Sequence, residues 1–337
     1  MSASRLALAL SQGHFDPRTV DRVLAAGIAT PVEVAEFEAA ELQVVQPLQP
    51  DHDRLAAAGL SVAPDFPEAA APFDLAYVAL PRARDRARGW IASASARLRD
   101  GGWLVVDGAK TDGIDSLWRA ARDRLDGADA LTKAHGRLFW GRVGADRFAD
   151  WQAGAQEGDG YVTGAGVFSA AHADPGSIAL AAALPARLPS HLADLGAGWG
   201  YLAAAALTRE GPERIDLVEA DRVALAAAQA NVTDPRAAFH WADALSWTPS
   251  APVDGIVMNP PFHAGRSADP SIGRAFIARA AALLSPQGKL WLVANRHLPY
   301  ETELTSRFQD WREIGGTAAF KLIEAARPRR TGKGPKR

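Results

Sequence analysis

Between residues 191 and 293, short apolar runs alternate with alanine-rich stretches of helical length, and no other feature of the sequence restricts the fold as tightly. Runs at 191–195, 214–219, 237–241, 254–258 and 289–293 read as strands. The stretches at 201–210, 222–231 and 271–284 read as helices. Strands alternating with helices at this spacing imply an α/β fold with a parallel sheet covered on both faces.

The first half repeats part of this pattern. Residues 73–81 (FDLAYVALP) resemble 253–261 (VDGIVMNPP), and 98–106 (LRDGGWLVV) resemble 284–292 (LSPQGKLWL). The first pair fits a buried strand entering a proline loop, the second a helix end, a glycine turn and a buried strand. With 337 residues, enough for two domains, the repeat implies a duplication into two tandem Rossmann-like domains. We expect these at 1–148 and 149–326, with a basic tail at 327–337. The first copy has no Gly-x-Gly-x-Gly turn after a strand, and Ala79-Leu80-Pro81-Arg82 stands where the second has Asn259-Pro260-Pro261-Phe262. It is therefore the degenerate copy, suited to substrate recognition or structural support.

The second copy carries the chemistry. Asp194-Leu195-Gly196-Ala197-Gly198-Trp199-Gly200 ends a strand and opens a helix. Gly196, Gly198 and Gly200 let the backbone turn tightly and approach a ligand closely. The spacing is not the dinucleotide fingerprint, and no Gly-Lys-Ser/Thr ending marks a nucleoside triphosphate loop. Asp194 puts a carboxylate beside the turn, which suits a cationic ligand such as a sulfonium amino acid and would repel a pyrophosphate. Glu219, ending the next strand, can accept both hydroxyls of a ribose. Asp243, after the third strand, can accept from an adenine amine. All three acids fall at the carboxyl ends of successive strands, where open sheets bind ligands. Together, with Asn259 as a further cofactor-binding residue, they point to S-adenosylmethionine.

Asn259-Pro260-Pro261-Phe262 follows the fourth strand. Two prolines stiffen the loop and remove two backbone donors, so it offers mainly acceptors. Such a loop fits a planar NH2 group that donates two hydrogen bonds. Accepting those hydrogens at Asn259 and the Pro260 carbonyl would make the nitrogen more tetrahedral and aim its lone pair at a methyl donor. Phe262 would stack on a base outside its helix. His263 suits orientation of the loop better than proton abstraction. Ahead of the second copy lie Gly166-Val167-Phe168-Ser169 and Asp174-Pro175-Gly176-Ser177. Residues 157–161 read as a polar turn without a function.

The chain has no cysteine, which excludes disulfides and thiolate metal sites, fits a cytoplasmic location and leaves no metal expected. Leu6 to Leu10 is too short to span a membrane and lacks a signal-peptide cleavage region, so no membrane partner is expected. Net charge is −2, so a nucleic-acid partner must rest on local patches. The stretch from Arg327 onward carries six basic residues and no acid, suited to phosphate contacts. Arg266 and Arg296 are further phosphate candidates.

These residues resemble the class I methyltransferases, and specifically the bacterial ribosomal RNA guanine-N2 methyltransferases. The resemblance runs through Gly166 to Ser169, Asp194 to Gly200, Asn259-Pro260-Pro261-Phe262-His263-Ala264-Gly265 and Asn295-Arg296-His297-Leu298-Pro299-Tyr300-Glu301. It implies two similar domains of which the second binds S-adenosylmethionine, and methyl transfer to a guanine N2 amine in 16S rRNA, within a small-subunit particle. Trp199 departs from the smaller residue common at its place, and Glu219 stands where Asp is also common. The alternatives are a 23S rRNA enzyme with almost the same motifs, a protein glutamine-N5 methyltransferase, a DNA adenine methyltransferase, and a non-catalytic RNA-binding assembly factor.

Overall fold

The computed structural model describes residues 4–14, 20–37, 39–68, 71–144, 146–152, 154, 156–158, 160–164, 166, 172–261, 263–264, 267–268 and 270–330; for 156–158, 263–264 and 267–268 only the backbone is described. Val167, Phe168, Ser169, Phe262, Gly265, Arg266 and 331–337 lie outside the described residues. The chain divides into two units, Met1–Ala155 with Gly164–Gly166, and Gln156–Thr163 with Val167–Arg337.

In the first unit, the strands are Arg22–Ala26 (β1), Glu41–Val45 (β2), Ser61–Ala63 (β3), Phe73–Ala79 (β4), Leu98–Ala109 (β5), Asp126–Lys133 (β6) and Gly136–Val143 (β7). Its helices are Arg5–Ser11 (α1), Gln49–Ala57 (α2), Arg84–Ser95 (α3) and Ile114–Ala121 (α4). The sheet order is β3-β2-β1-β4-β5-β7-β6. Residues 149–155, expected with the second half, belong here. Trp151 is buried against Phe148, ring centroids 5.0 Å apart, and the Arg88 and Arg124 guanidinium groups lie over its ring. An aromatic pair of this kind stays with the core that buries it.

The second unit begins with the hairpin Gln156–Gly158 (β8) and Tyr161–Thr163 (β9), where the sequence suggests only a polar turn. Its sheet strands are His191–Leu195 (β10), Arg214–Glu219 (β11), Ala237–Trp241 (β12) and Val253–Met258 (β13), followed by the small ribbon His263–Ala264 (β14) and Ser267–Ala268 (β15), then Leu284–Asn295 (β16), Phe308–Gly316 (β17) and Phe320–Pro328 (β18). Pro175–Ala183 (α5), Tyr201–Leu207 (α6), Arg222–Asn231 (α7), Pro270–Leu283 (α8) and Glu301–Arg307 (α9) are its helices. The order is β12-β11-β10-β13-β16-β18-β17. Each central strand feeds two cores. From β10, Ala193 and Leu195 enter one cluster and Leu192 the other. That two-sided burial is why these strands read as apolar runs.

The expected tail begins as sheet. Arg327 lies inside β18 and pairs with Asp310, Arg329 Nε donates to Phe308 O at 2.8 Å, and the Arg330 guanidinium donates to Leu284 O at 3.0 Å. These three cations are held because β17–β18 pairing continues to Phe308↔Pro328. Among the described residues no helix is long and apolar enough to cross a membrane.

Strand registers superpose the two units. β4 pairs with β5 through Phe73↔Leu98, breaks, and resumes at Leu75↔Trp103; β13 pairs with β16 through Val253↔Leu284, breaks, and resumes at Gly255↔Lys289. Ala26↔Val45 in one matches Leu195↔Val218 in the other. Gly27 thereby takes the place of Gly196. Both have positive φ, 77° and 74°, and both donate their N–H to the end of the second strand, Val45 O and Val218 O, at 2.9 Å. The polar positions have changed: Ala25 stands for Asp194, Gln46 for Glu219 and Ala79 for Asn259. A Cβ on Gly27 would meet the Trp90 ring and come within 2.7 Å of Ala79 O, whereas the nearest atom to a Cβ on Gly196 is Phe276 Cε1 at 3.6 Å. The first unit has filled with an indole the space that the second keeps open.

Gly196→Ala should therefore cost only the left-handed backbone penalty, about 1–2 kcal/mol, in urea denaturation. Gly27→Ala should cost roughly 1–3 kcal/mol more from overpacking. Equal losses would show that Trp90 does not fill that space tightly.

Candidate active site

β10 and β13 run side by side, from Leu192↔Gly255 to Asp194↔Val257. The chain leaves β10 through the glycine turn into α6, and leaves β13 through Asn259-Pro260-Pro261. Between them opens a cavity lined by Gly196 to Trp199, Tyr201, Asp174, Ser177 and Asn259 among others. It sits at the switch point of the strand order, where open α/β sheets bind ligands. Gly200 ends the turn with φ 90° and caps α6, and a Cβ there would come within 2.8 Å of Val232 Cγ2.

Asp194 lies beneath the turn and is 1% exposed. Its Oδ2 accepts from Ala203 N at 3.0 Å, tying β10 to the first turn of α6, while Oδ1 is buried with no hydrogen-bond partner among the described residues. Burial pushes its carboxyl up to about 7, against the Ala203 N–H bond and with help from Glu219. Glu219 is half-buried at the end of β11. It accepts from Gly198 N and from Asp221 N, both at 2.8 Å. Burial raises its pKa, and those backbone donors oppose the rise. Asp243 follows β12 and its Oδ1 accepts from Leu245 N at 2.9 Å, turning the chain. The three acids thus stand at the strand ends where expected, with Asp194 and Glu219 built into the frame of the turn.

Asn259 is held on two sides. Its Nδ2 donates to Asp174 Oδ2 at 2.8 Å and to Ser177 Oγ at 2.9 Å. Asp174 is also the N-cap of α5, accepting from Ser177 N at 2.9 Å. The segment 174–177 stands out in the sequence without a role. Its signal was the cap pattern of an acid followed by proline at N1, which says nothing of Asn259, 85 residues away. Pro260 is buried two residues past the end of β13, and Phe262 lies outside the described residues.

Two further contacts were not legible. Asn231, the last residue of α7, donates to Val162 O at 2.8 Å and to Trp199 O at 3.0 Å, and accepts from Val162 N at 2.7 Å. It fastens the β8–β9 hairpin to the glycine turn. Trp199 packs on Tyr161 and Tyr201, with centroids 4.6 and 5.4 Å apart. The indole fills the gap under the hairpin, a local reason for the large residue in this turn. Arg296, a phosphate candidate in the sequence, instead braces the β16–β18 region. It donates to Thr317 O at 2.8 Å, to Phe320 O at 3.0 Å and to Glu313 at 2.8 Å. Among the described residues no three acids or histidines are placed to hold a metal ion.

The methyltransferase small domain model matches residues 160–324. Ribosomal RNA small subunit methyltransferase C of Shewanella sp. (strain MR-4) is 30% identical over 248 residues, 70% of this chain and 72% of that protein. The protein of the same name from Shewanella pealeana is 31% identical over 262 residues, 74% of this chain and 76% of that one. Among solved structures, the T. thermophilus 16S rRNA N2 G1207 methyltransferase, in complex with AdoMet and guanosine, is similar with a TM-score of 0.76 and 25% identity, covering 91% of this chain and 88% of that one. The chain belongs to the ribosomal RNA small subunit methyltransferase C family.

Proposed function

We propose that this chain transfers a methyl group from S-adenosylmethionine to the exocyclic N2 amine of a guanine in 16S rRNA. One observation carries the reading: a single cavity has the glycine turn on one wall and Asn259 on another, with both amide hydrogens of Asn259 already committed. What Asn259 then has for a ligand is its oxygen, an acceptor.

The residues fit the cofactor. Gly198 leaves open space where a Cβ would stand, so a ligand can lie against the turn. Asp194 Oδ1, buried and unsatisfied, suits an ammonium group, directly or through water. Glu219 would receive the ribose hydroxyls, exchanging them for part of its bond to Gly198 N. Asp243 would receive the adenine amine. S-adenosylmethionine supplies a methyl group on a sulfonium and leaves as a neutral thioether. Asn259 Oδ1 and the Pro260 carbonyl would accept the two amine hydrogens and turn the nitrogen lone pair toward that methyl. The surplus proton of the methylated amine passes to water. Positioning and preorganised acceptors carry the catalysis. We place the substrate within a small-subunit particle, as the family resemblance implies.

Asn259→Ala should keep cofactor affinity by calorimetry within about threefold and lower turnover about 100-fold or more; undiminished methyl transfer would remove Asn259 from the mechanism. For the substrate, rRNA from a deletion strain should lack one N2-methylguanosine in 16S by nucleoside mass spectrometry. A loss confined to 23S would assign the large subunit instead, and no loss in either would overturn the reading.

The buried Asp194 carboxyl gives a pH signature. Its folded pKa, about 7, exceeds its unfolded one, so the folded protein keeps a proton the unfolded chain has released. That contribution to stability is complete below about pH 4 and is lost as pH rises to about 7. The melting temperature of the ligand-free wild type should therefore fall relative to Asp194→Asn between about pH 5 and about pH 8. A constant difference would mean that Asp194 does not titrate there.

A further inference from the structure

We propose that Asp174 and Ser177 are positioning residues that lock the Asn259 amide in one orientation, so that it meets the substrate as an acceptor and never as a donor. This rests on the reading of Asn259 as the group that receives the amine.

An asparagine amide carries its oxygen and its NH2 on arms of nearly equal size. A half-turn about the last side-chain bond exchanges them at little steric cost. Shape therefore leaves open which arm faces the substrate, and hydrogen bonding decides. Asp174 as a carboxylate can only accept. With Nδ2 at 2.8 Å from Asp174 Oδ2 and 2.9 Å from Ser177 Oγ, both amide hydrogens are used. The flipped amide would set Oδ1 against a carboxylate oxygen and turn NH2 toward an amine, donor against donor. It loses on both sides.

The clamp is itself held. Asp174 Oδ2 accepts from Ser177 N at 2.9 Å, so the oxygen that grips Asn259 is fixed by the end of α5. Ser177 is 9% exposed. Gly176 leaves the room: a Cβ there would stand 2.9 Å from Asp174 Oδ2 and 3.1 Å from Val293 Cγ2. The acid, the glycine and the serine thus serve one geometry.

The degenerate unit is an internal control. Its α1, like α5, precedes the first strand of its sheet and touches the last two strands, α5 packing on β16 as well. It too is capped, Ser4 Oγ accepting from Ala7 N at 2.9 Å. The cap is kept, but the acid and the third-position hydroxyl are gone, and Ala79 stands where Asn259 would be. A helix end in this place needs neither an acid at the N-cap nor a hydroxyl at the third position for capping alone. They occur in the copy that has an amide to hold.

The test separates capping from clamping. Asp174→Ser retains a good N-cap but cannot reach Asn259, whereas Asp174→Asn keeps an acceptor oxygen in place. We expect Asp174→Ser to lower kcat on 16S rRNA about 100-fold, with KM for S-adenosylmethionine within about threefold and the melting temperature near wild type. Asp174→Asn should restore most of kcat. Wild-type kcat in Asp174→Ser would overturn the proposal, as would an equal loss in Asp174→Asn. A second readout needs no activity: the Asn259 side-chain NH2 signals in 1H–15N spectra, assigned by their loss in Asn259→Ala. They should exchange slowly with solvent in wild type and rapidly in Asp174→Ser, and identical exchange would overturn the clamp. If the wild type methylates no rRNA, the functional reading fails and the exchange measurement alone decides the positioning.

Discussion

The parallel pairing of β10 with β13 is the constraint from which the rest of the second unit follows. Two strands buried on both faces can expose polar chemistry only where they end. Leaving the sheet in different directions, they open a crevice at their carboxyl edge. Gly255 leaves room over the pair for the Leu192 and Trp291 side chains: a Cβ there would come within 2.6 Å of Leu192 Cδ2 and 3.1 Å of the Trp291 ring. The register of the pair brings the turn after Leu195 and the amide at Asn259 to one cavity. The remaining devices hold the two lips. Asp194 ties β10 to α6, Glu219 holds Gly198, Asn231 fastens the hairpin to Trp199, and Asp174 with Ser177 fixes Asn259.

The first unit shows the same frame without the polar positions of the second. It keeps the strand order, the break after the first pair of its fourth and fifth strands, and the left-handed glycine bonded to the second strand. Those features are set by sheet geometry. It has lost the acid under the turn, the acid after the second strand and the amide after the fourth. Gln46, where Glu219 would be, donates to Ile28 O at 2.8 Å and accepts from Leu48 N at 3.0 Å, satisfying loop backbone. A buried carboxylate without a partner is costly, so an alanine at position 25 and an indole over Gly27 are the stable replacements. The first unit keeps the fold without these groups because its apolar clusters on the two faces of the sheet are intact.

Sequence alone determined the α/β class, the duplication, and the order glycine turn, Glu219, Asp243, Asn259, because each depends on local spacing. Apolar runs placed the strands 191–195, 214–219 and 237–241, and the alanine-rich stretch between them the helix 222–231, at the observed bounds. Element ends moved where tertiary pairing intervened: the strand expected at 289–293 runs from Leu284 to Asn295 because β13 and β18 pair along it. Only the tertiary structure decided which polar side chains spend their hydrogen bonds on each other. Asp174 and Asn259, Asn231 and Trp199, and Arg296 and Thr317 are far apart in the chain or joined through backbone atoms that composition does not reveal. It likewise turned Arg327, Arg329 and Arg330 from a free basic tail into a docked strand end, since whether a cation meets solvent or a carbonyl depends on which strand lies beside it. Spacing along a chain fixes which groups can meet a ligand from one sheet edge; the direction in which each group points is set by what it bonds across the fold.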